Sequence, residues 1–282
     1  MRRLVVGVDD SAASVMAVHW ASAIAFATGA GIAVVHVVGH KDRGDLQIRG
    51  VSAGVERATW MDALDSTGIE HDFRSLYGDP PTRILDLATD VGADMIVIGR
   101  RGHAPVGPHL LGSSTQRLLQ ANQIPVAIVP RPSEQASRTE VTSTAVVGLD
   151  DTEPSHAVVD CAISLSDALG LDMDVLTVVD LHGDPSPRRQ PAGQSAVESA
   201  RLALRRLAGS VDPQRRHHIA THTEVGTPAD ELLRRSRDAK LLIVGHRRRT
   251  PMNRFLTQAT GRYCAAHAVC PVVLVPIEPV PT

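Results

Sequence analysis

The sequence predicts an α/β protein built as two tandem, doubly wound open sheets, each of five parallel strands with helices on both faces. Three observations predict it. Short runs of Val, Ile and Leu, such as Leu4 to Val8, Ile32 to Val38 and Met95 to Ile98, alternate with longer segments of helical period; strands covered on both faces read as continuous apolar runs of this kind. Aromatic residues make up 2% of a chain whose hydrophobic share is 43%, so the core is aliphatic, as parallel α/β layers require. The second half then repeats the first: Val146-Val147-Gly148-Leu149-Asp150-Asp151-Thr152 answers Val5-Val6-Gly7-Val8-Asp9-Asp10-Ser11.

The first copy begins with the strand Leu4 to Val8, which closes on Asp9-Asp10-Ser11. Ser11 is an N-cap candidate for the helix that follows, with Val15, Val18, Ala21, Ile24 and Ala25 on one face and Gly29 as C-cap. Ile32 to Val38 is the second strand and carries His36, which reads as a hydrogen-bonded sheet histidine. His40 to Gly50 is a polar loop, Val51 to Ser66 a helix ended near Gly68, and Glu70 to Leu76 a third, alternating strand. Gly78-Asp79-Pro80-Pro81 is a turn that puts proline at the first helical position, ahead of Ile84, Leu85 and Ala88. Asp94 to Ile98 is the fourth strand, Ser113 to about Asn122 a helix, and Val126 to Val129 the fifth strand.

Ser133 to Ser143 is polar and aperiodic and reads as the linker, giving domains over 1–133 and 144–282 joined by 134–143. Beyond it, Val175 to Val179 repeats the second strand and Gly226-Thr227-Pro228 the Gly78 turn. Leu241 to Gly245 repeats the fourth strand, and Pro271 to Pro276 repeats Pro125 to Pro130. The stretch Asp184 to Gln194 corresponds to the His40 loop.

Composition excludes several classes of function. A net charge of -2 gives no field favouring DNA or a membrane, and so few aromatics cannot supply stacking platforms for single-stranded nucleic acid. Cys161, Cys264 and Cys270 form no CxxC pattern, so no disulfide framework or zinc site is expected, and Cys264 and Cys270 read as small core residues. Met1-Arg2-Arg3 leads straight into a strand and no apolar run is long enough to span a bilayer, so a cytoplasmic location is expected.

The chemistry concentrates where the fourth strand ends. Gly99-Arg100-Arg101-Gly102 follows an apolar run, and after nine further residues Gly112-Ser113-Ser114-Thr115 opens a helix. Strand, glycine loop and helix N-terminus suit phosphate: glycines let backbone N–H groups approach an anion and the helix start adds partial positive charge. Gly107-x4-Gly112-Ser113 is not a P-loop, because Ser113 replaces the lysine and the segment lies far beyond the strand end. The paired-glycine loop of ATP pyrophosphatases is absent as well.

Taken together, Gly-x2-Gly-x9-Gly-Ser at Gly99, Gly102, Gly112 and Ser113, the Val-Gly-Val-Asp-x-Ser start and the Pro-Val-x-x-Val-Pro end resemble the universal stress protein family in its tandem form, over nearly the whole chain. The resemblance implies that the first and fourth strands are central neighbours and that ligand binds outside their carboxyl ends. It implies ATP as the ligand, with Gly7, Val8 and Asp9 closing the first strand, Asp9 near the ribose and Val37 near the adenine. The N–H groups of Gly99 to Gly102 and Gly112 to Ser114 would surround the phosphates, Ser113, Ser114 and Thr115 would add hydroxyls, and Arg100 or Arg101 would neutralise charge. It also implies an internal pseudo-dimer of the two domains, with an open strand edge at Pro130 and Pro276, room for a homodimer, and a regulatory role in stress or growth arrest through a protein partner not named by the sequence. AMP or a cyclic nucleotide remains an alternative to ATP.

The second copy departs from this pattern. Gly245 is kept, but Arg248 stands in place of the second glycine and Gln258-Ala259-Thr260 in place of Gly-Ser-Ser. Arg247, Arg248 and Arg249 read as a solvated basic loop that also offers charge to an anion. Asp9 and Asp10 offer carboxylates for Mg²⁺ beside a triphosphate, while Asp10 equally suits a helix-start carboxylate. His217, His218 and His222 lack a carboxylate or Cys partner in sequence and read as no metal site; His103 and His109 lie in the loop that would meet phosphate. No nucleophile, base and orienting group fall together, so the expectation is a nucleotide binder with at most weak ATP hydrolysis. The rivals are a nucleotide-independent interaction module and a genuine ATPase.

Overall fold

The computed structural model describes residues 1–9, 11–39, 61, 64–100, 111–135, 140–149, 156–179, 218–247 and 257–277. Among the features named above, Asp10, the 40–50 loop, most of the 51–66 helix, Arg101, Gly102, His103, Gly107, His109, Asp150 to Thr152, the 184–194 stretch, His217, Arg248 and Arg249 lie outside these residues. The chain divides into two units, Met1–Ala136 and Ser137–Thr282.

In the first unit the elements are β1 (Arg3–Val8), α1 (Ala12–Thr28), β2 (Gly31–Val38), β3 (His71–Tyr77), α2 (Pro80–Asp90), β4 (Met95–Gly99), α3 (Ser113–Ala121), β5 (Val126–Val129) and α4 (Pro132–Gln135). The strands pair in parallel in the order β3-β2-β1-β4-β5. The chain steps outward from β1 to β3 and then returns to the other side of β1, so the strand order reverses between β1 and β4. In such sheets the crevice outside the carboxyl ends at the reversal is the natural ligand site. Leu4, Val5, Val6, Ile96 and Val97 are fully buried, which is why these two strands read as unbroken apolar runs.

Local chemistry sets the helix ends. Ser11 caps α1 by accepting the Ser14 N–H at 3.3 Å, and Gly29 ends it with φ 70°. The buried stripe of α1 is Ala13, Ala17, Val18, Ala21, Ile24 and Ala25. Val15, placed on that stripe by periodicity, is only half-buried; small alanines at the centre of the stripe let the helix sit close to the sheet. Asp79 caps α2 by accepting the Thr82 N–H, with Pro80 in the first turn.

The linker needs correction. Residues 133–143 were expected to be aperiodic, yet Pro132–Gln135 forms a helical turn and the next strand already begins at Thr142. The turn is fixed by a reciprocal cap: Glu134 N–H donates to the Arg131 carbonyl at 3.1 Å, and Arg131 N–H donates to Glu134 Oε2 at 2.8 Å.

The second unit contains β6 (Thr142–Leu149), α5 (His156–Leu169), β7 (Asp172–Val179), β8 (Ile219–Val225), α6 (Pro228–Arg235), β9 (Ala239–Arg247), α7 (Thr257–His267) and β10 (Val272–Ile277). Its parallel order, β8-β7-β6-β9-β10, is the same. One part of its core is not the same. Register on Gly7/Gly148 and Gly78/Gly226 aligns Ala33 with Asp174 and Leu87 with Arg235. Buried Ala33 and Leu87 thus give way to an ion pair in which Arg235 Nε donates to Asp174 Oδ2 at 2.7 Å. His222 Nε2 lies 3.3 Å from the same carboxylate, so the histidine stretch does have a carboxylate neighbour, supplied from β7. Among the described residues no cluster of three His, Cys, Asp or Glu is arranged to hold a metal ion. Cys264 and Cys270 are buried and Cys161 is half-buried; burial pushes the Cys161 and Cys264 thiols up to about 12. No helix among the described residues is long and apolar enough to cross a membrane.

Candidate functional site

The crevice at the β1/β4 reversal is a cavity of about 300 Å³. Gly7, Val8 and Asp9 at the end of β1, Val35 and Val37 of β2, and Ile98 and Gly99 of β4 form its sheet side. Pro80, Pro81 and Ile84 of α2 form one wall, and Gly112, Ser113, Ser114, Thr115 and Leu118 of α3 another. Its volume is at the lower end of ligand pockets, which run to about 300–1,000 Å³. Of the twelve site residues expected from sequence, Gly7, Val8, Asp9, Val37, Gly99, Gly112, Ser113, Ser114 and Thr115 face this cavity. Asp9 and Gly112 are brought together by strand order, across a hundred residues of sequence. Arg101 and Gly102 lie outside the described residues.

Arg100 does not line the cavity; phosphate neutralisation was expected of Arg100 or Arg101, and Arg101 lies outside the described residues. Its N–H continues the ladder to the Val129 carbonyl at 2.6 Å, and its side chain is only 4% exposed. The guanidinium is held by Glu134, with Nη2 at 2.7 Å and Nε at 3.2 Å from Oε2. A buried guanidinium needs a partner with good geometry, and the reciprocal cap of α4 places that partner on the linker side.

Asp9 is organised by a residue the sequence reading missed. Ser14 Oγ donates to Asp9 Oδ1 at 2.7 Å and accepts the Asp9 N–H at 2.8 Å, while Ser11 N–H donates to the same Oδ1 at 3.1 Å. Oδ1 is thereby engaged by the protein, and the carboxylate is fixed at the mouth of β1. Ser14 is 2% exposed and lines the cavity. Its spacing, one turn into a helix capped by Ser11, is the only sequence signal for this role. Val35, Pro80, Pro81, Ile84, Ile98 and Leu118 were also missed as lining residues, because apolar cleft residues and core residues share one sequence pattern.

The two described glycines of the loop motif are glycine for different reasons. A Cβ on Gly99 would lie 2.7 Å from the Ala13 carbonyl carbon and 2.8 Å from its oxygen, so the first turn of α1 crosses directly over the end of β4. At Gly112 the nearest atom to a Cβ would be Thr115 Oγ1, 4.0 Å away, and the backbone angles, φ −57° and ψ 151°, suit any residue. Neither strain nor packing demands glycine there; the space is cleft. Gly112 caps α3 without a side-chain hydrogen bond, so the first N–H groups of the helix have no intrahelical partner. Ser113 and Ser114 are exposed beside them, and Thr115 is buried.

A second cavity, of about 420 Å³, opens outside the ends of β2 and β3 against Tyr77, Asp79, Thr82 and Arg83. It contains none of the expected site residues. Asp79, which lines this cavity, is gripped by both terminal nitrogens of Arg117 of α3, at 2.6 and 2.9 Å. The Thr82 hydroxyl and Arg117 hold the Asp79 carboxyl below its ordinary value.

In the second unit Gly148 is kept against α6, where a Cβ would lie 2.8 Å from Leu232 Cδ2. His246, 7% exposed, takes the place of Arg100, and Gly261 takes the place of Thr115.

Fold and crevice together define a tandem protein of the doubly wound α/β class, with a carboxylate and an open helix N-terminus facing each other in its first half. The chain belongs to the universal stress protein family: the family model matches residues 1–130 and again 142–276. A universal stress protein of Mycolicibacterium smegmatis is 27% identical over 287 residues, covering 96% of both chains. One from Mycobacterium tuberculosis is 27% identical over 303 residues, covering 96% of this chain and 95% of its own. The crystal structure of a universal stress protein from Archaeoglobus fulgidus superposes with a TM-score of 0.70 at 16% identity, over 97% of this chain and 98% of that one.

Proposed function

We propose that the first unit binds an adenine nucleotide, ATP in the first instance, and that the protein acts as a cytoplasmic regulator in stress or growth arrest. The observation that carries the reading is Gly112: an open position at an uncapped helix N-terminus, facing Asp9 across a cavity. A phosphate placed there meets unpaired N–H groups, the positive end of α3 and the hydroxyls of Ser113 and Ser114. Asp9, held by Ser14 and Ser11, is an acceptor for ribose hydroxyls, and the β2 edge at Val37 lies where a base would stack on apolar side chains. Of the described lining residues only Asp9 is charged, so Mg²⁺ would arrive with the phosphates and take at most one protein carboxylate.

The same inventory makes the protein a binder in this proposal. Asp9 is the sole acid or base among the described lining residues, and its Oδ1 is already occupied by two protein donors, which leaves little to activate a water. The test is calorimetric titration of the full chain with ATP, AMP and cyclic AMP. The expected result is one site per chain, weakened by Asp9→Ala, with turnover at background. Absence of heat with all three nucleotides would favour a nucleotide-independent interaction module, and rapid turnover lost in Asp9→Ala would favour an ATPase.

A further inference from the structure

Of the two helices that wall the cleft, only α3 opens on an anion. α2 starts with Pro80 and Pro81, which have no N–H to give, and its Thr82 N–H is taken by Asp79. The start of α3, at Gly112, has no side-chain cap. The two starts are joined by the grip of Arg117 on Asp79. Both ends of that contact adjoin the cavity: Pro80 and Pro81 follow Asp79, and Ser113 and Ser114 lie one turn before Arg117. A long side chain on a helix leans toward the N-terminus, so Arg117 covers the turn of Ser113 and Ser114. Two of its N–H groups are used by Asp79. Among the described residues the guanidinium has no other partner, and with the side chain 59% exposed its remaining N–H groups are available to a second acceptor. The fold does not require the pair. In the second unit Thr227 stands in the place of Asp79 and Tyr263 in that of Arg117, where Tyr263 stacks on His267. There α6 and α7 still meet, with Cys264 Sγ 4.0 Å from the Ala229 carbonyl oxygen. Both members are thus present in the repeat with the complete glycine pattern and replaced in the repeat where it breaks.

We propose that Arg117 is a specificity-determining residue: it answers the phosphates beyond the first of a bound nucleotide, and Asp79 sets how much of its charge they receive. The proposal rests on the nucleotide reading given above and adds which nucleotides the site prefers. A single phosphate is served by the open start of α3 and its hydroxyls. Each further phosphate adds negative charge, and a guanidinium leaning over the same turn attracts it in proportion. A carboxylate gripping that guanidinium cancels most of its field, so Asp79 weakens the pull on a triphosphate and leaves the nucleoside untouched.

The experiment measures calorimetric affinities of adenosine, AMP and ATP for the full-length wild type, Asp79→Asn, Arg117→Gln and Arg117→Lys, with a thermal melt of each. Asparagine caps a helix as well as aspartate does, so Asp79→Asn keeps the start of α2. Comparing Arg117→Gln with Arg117→Lys repeats the test without touching that cap. Asp79→Asn is expected to tighten ATP by about threefold and Arg117→Gln to weaken it by about threefold, the scale of an exposed charge pair. AMP should respond less and adenosine not at all. Arg117→Lys, which keeps the charge, should stay near wild type, and the differences should shrink as salt is raised. A strap that merely fixed the spacing of α2 and α3 would instead be weakened by Asp79→Asn and Arg117→Gln alike, for all three ligands. That result, a loss of ATP affinity in Asp79→Asn, or ATP binding indifferent to the charge at 117 would each overturn the proposal. Wild type that binds none of the three ligands would overturn the nucleotide reading itself, and the role of Arg117 with it.

Discussion

Replacing Gly99 and Gly112 separately should give opposite phenotypes, although both belong to one motif. At Gly99 a methyl group meets the backbone of Ala13 at 2.7–2.8 Å, and backbone cannot rotate away as a side chain can. Overpacking of this kind costs about 1–3 kcal/mol, and an immobile neighbour puts Gly99→Ala at the upper end. At Gly112 the added methyl has 4.0 Å of clearance and ordinary backbone angles. Restricting the unfolded chain contributes about 0.4–1 kcal/mol in favour of alanine. Glycine's advantage over alanine as a helix cap offsets up to about 1 kcal/mol of that. Gly112→Ala should therefore leave stability nearly unchanged. Gly112→Val, which fills the cleft opposite Asp9, should lower ATP affinity by about tenfold or more, equivalent to ~1.4 kcal/mol. Urea unfolding midpoints and calorimetric titration of the three variants decide the matter. If Gly112→Ala destabilises as much as Gly99→Ala, or if Gly112→Val binds ATP like wild type, the space at Gly112 is not ligand space.

Three other perturbations follow from named contacts. Ser14→Ala strips Asp9 of a hydroxyl donor and leaves its N–H without that acceptor; a loss of about 1.5–3 kcal/mol in stability, together with weaker nucleotide binding, is expected, and unchanged titration heats would contradict it. Asp79 has a lowered folded pKa because Thr82 and Arg117 stabilise its carboxylate, so its contribution is complete above about pH 3.9, the ordinary value, and is lost as pH falls through the folded one. Asp79→Asn should flatten the acid limb of the unfolding midpoint, modestly because Arg117 is 59% exposed, and an unaltered limb would count against the contact. Arg235→Leu alone leaves Asp174 without its 2.7 Å partner and should destabilise the second unit, whereas Asp174→Ala/Arg235→Leu, which restores the first repeat's pairing, should recover wild-type stability in a thermal melt; additive losses would show that the pair is not coupled.

Much of the fold is written in single stretches of sequence. Strands such as Met95–Gly99 are buried on both faces and leave unbroken aliphatic runs, and Ser11 and Gly29 mark the ends of α1 by local hydrogen bonding and positive φ. α4 escaped notice because four residues carry no periodicity; its cap, Glu134 reaching back to Arg131, was the available signal. The meeting of Asp9 with Gly112 depends on strand order, which no local pattern encodes, and it was anticipated only through family resemblance. The direction of Arg100 was misjudged for a related reason. A charged residue beside a glycine loop suggests an anion, but the continuing ladder to Val129 and a carboxylate thirty-four residues on decide where it points.

The packing of Gly148 bears on how duplicated chains record their past. This glycine survives in a repeat whose phosphate signature has eroded, because Leu232 leaves no room for anything larger. A glycine required by packing in this way says nothing about what a repeat binds. On the proposed nucleotide reading, a position such as Gly112, where the space beside the backbone is cleft, is held by a ligand and not by packing. At the matching place in the second repeat stands Gln258.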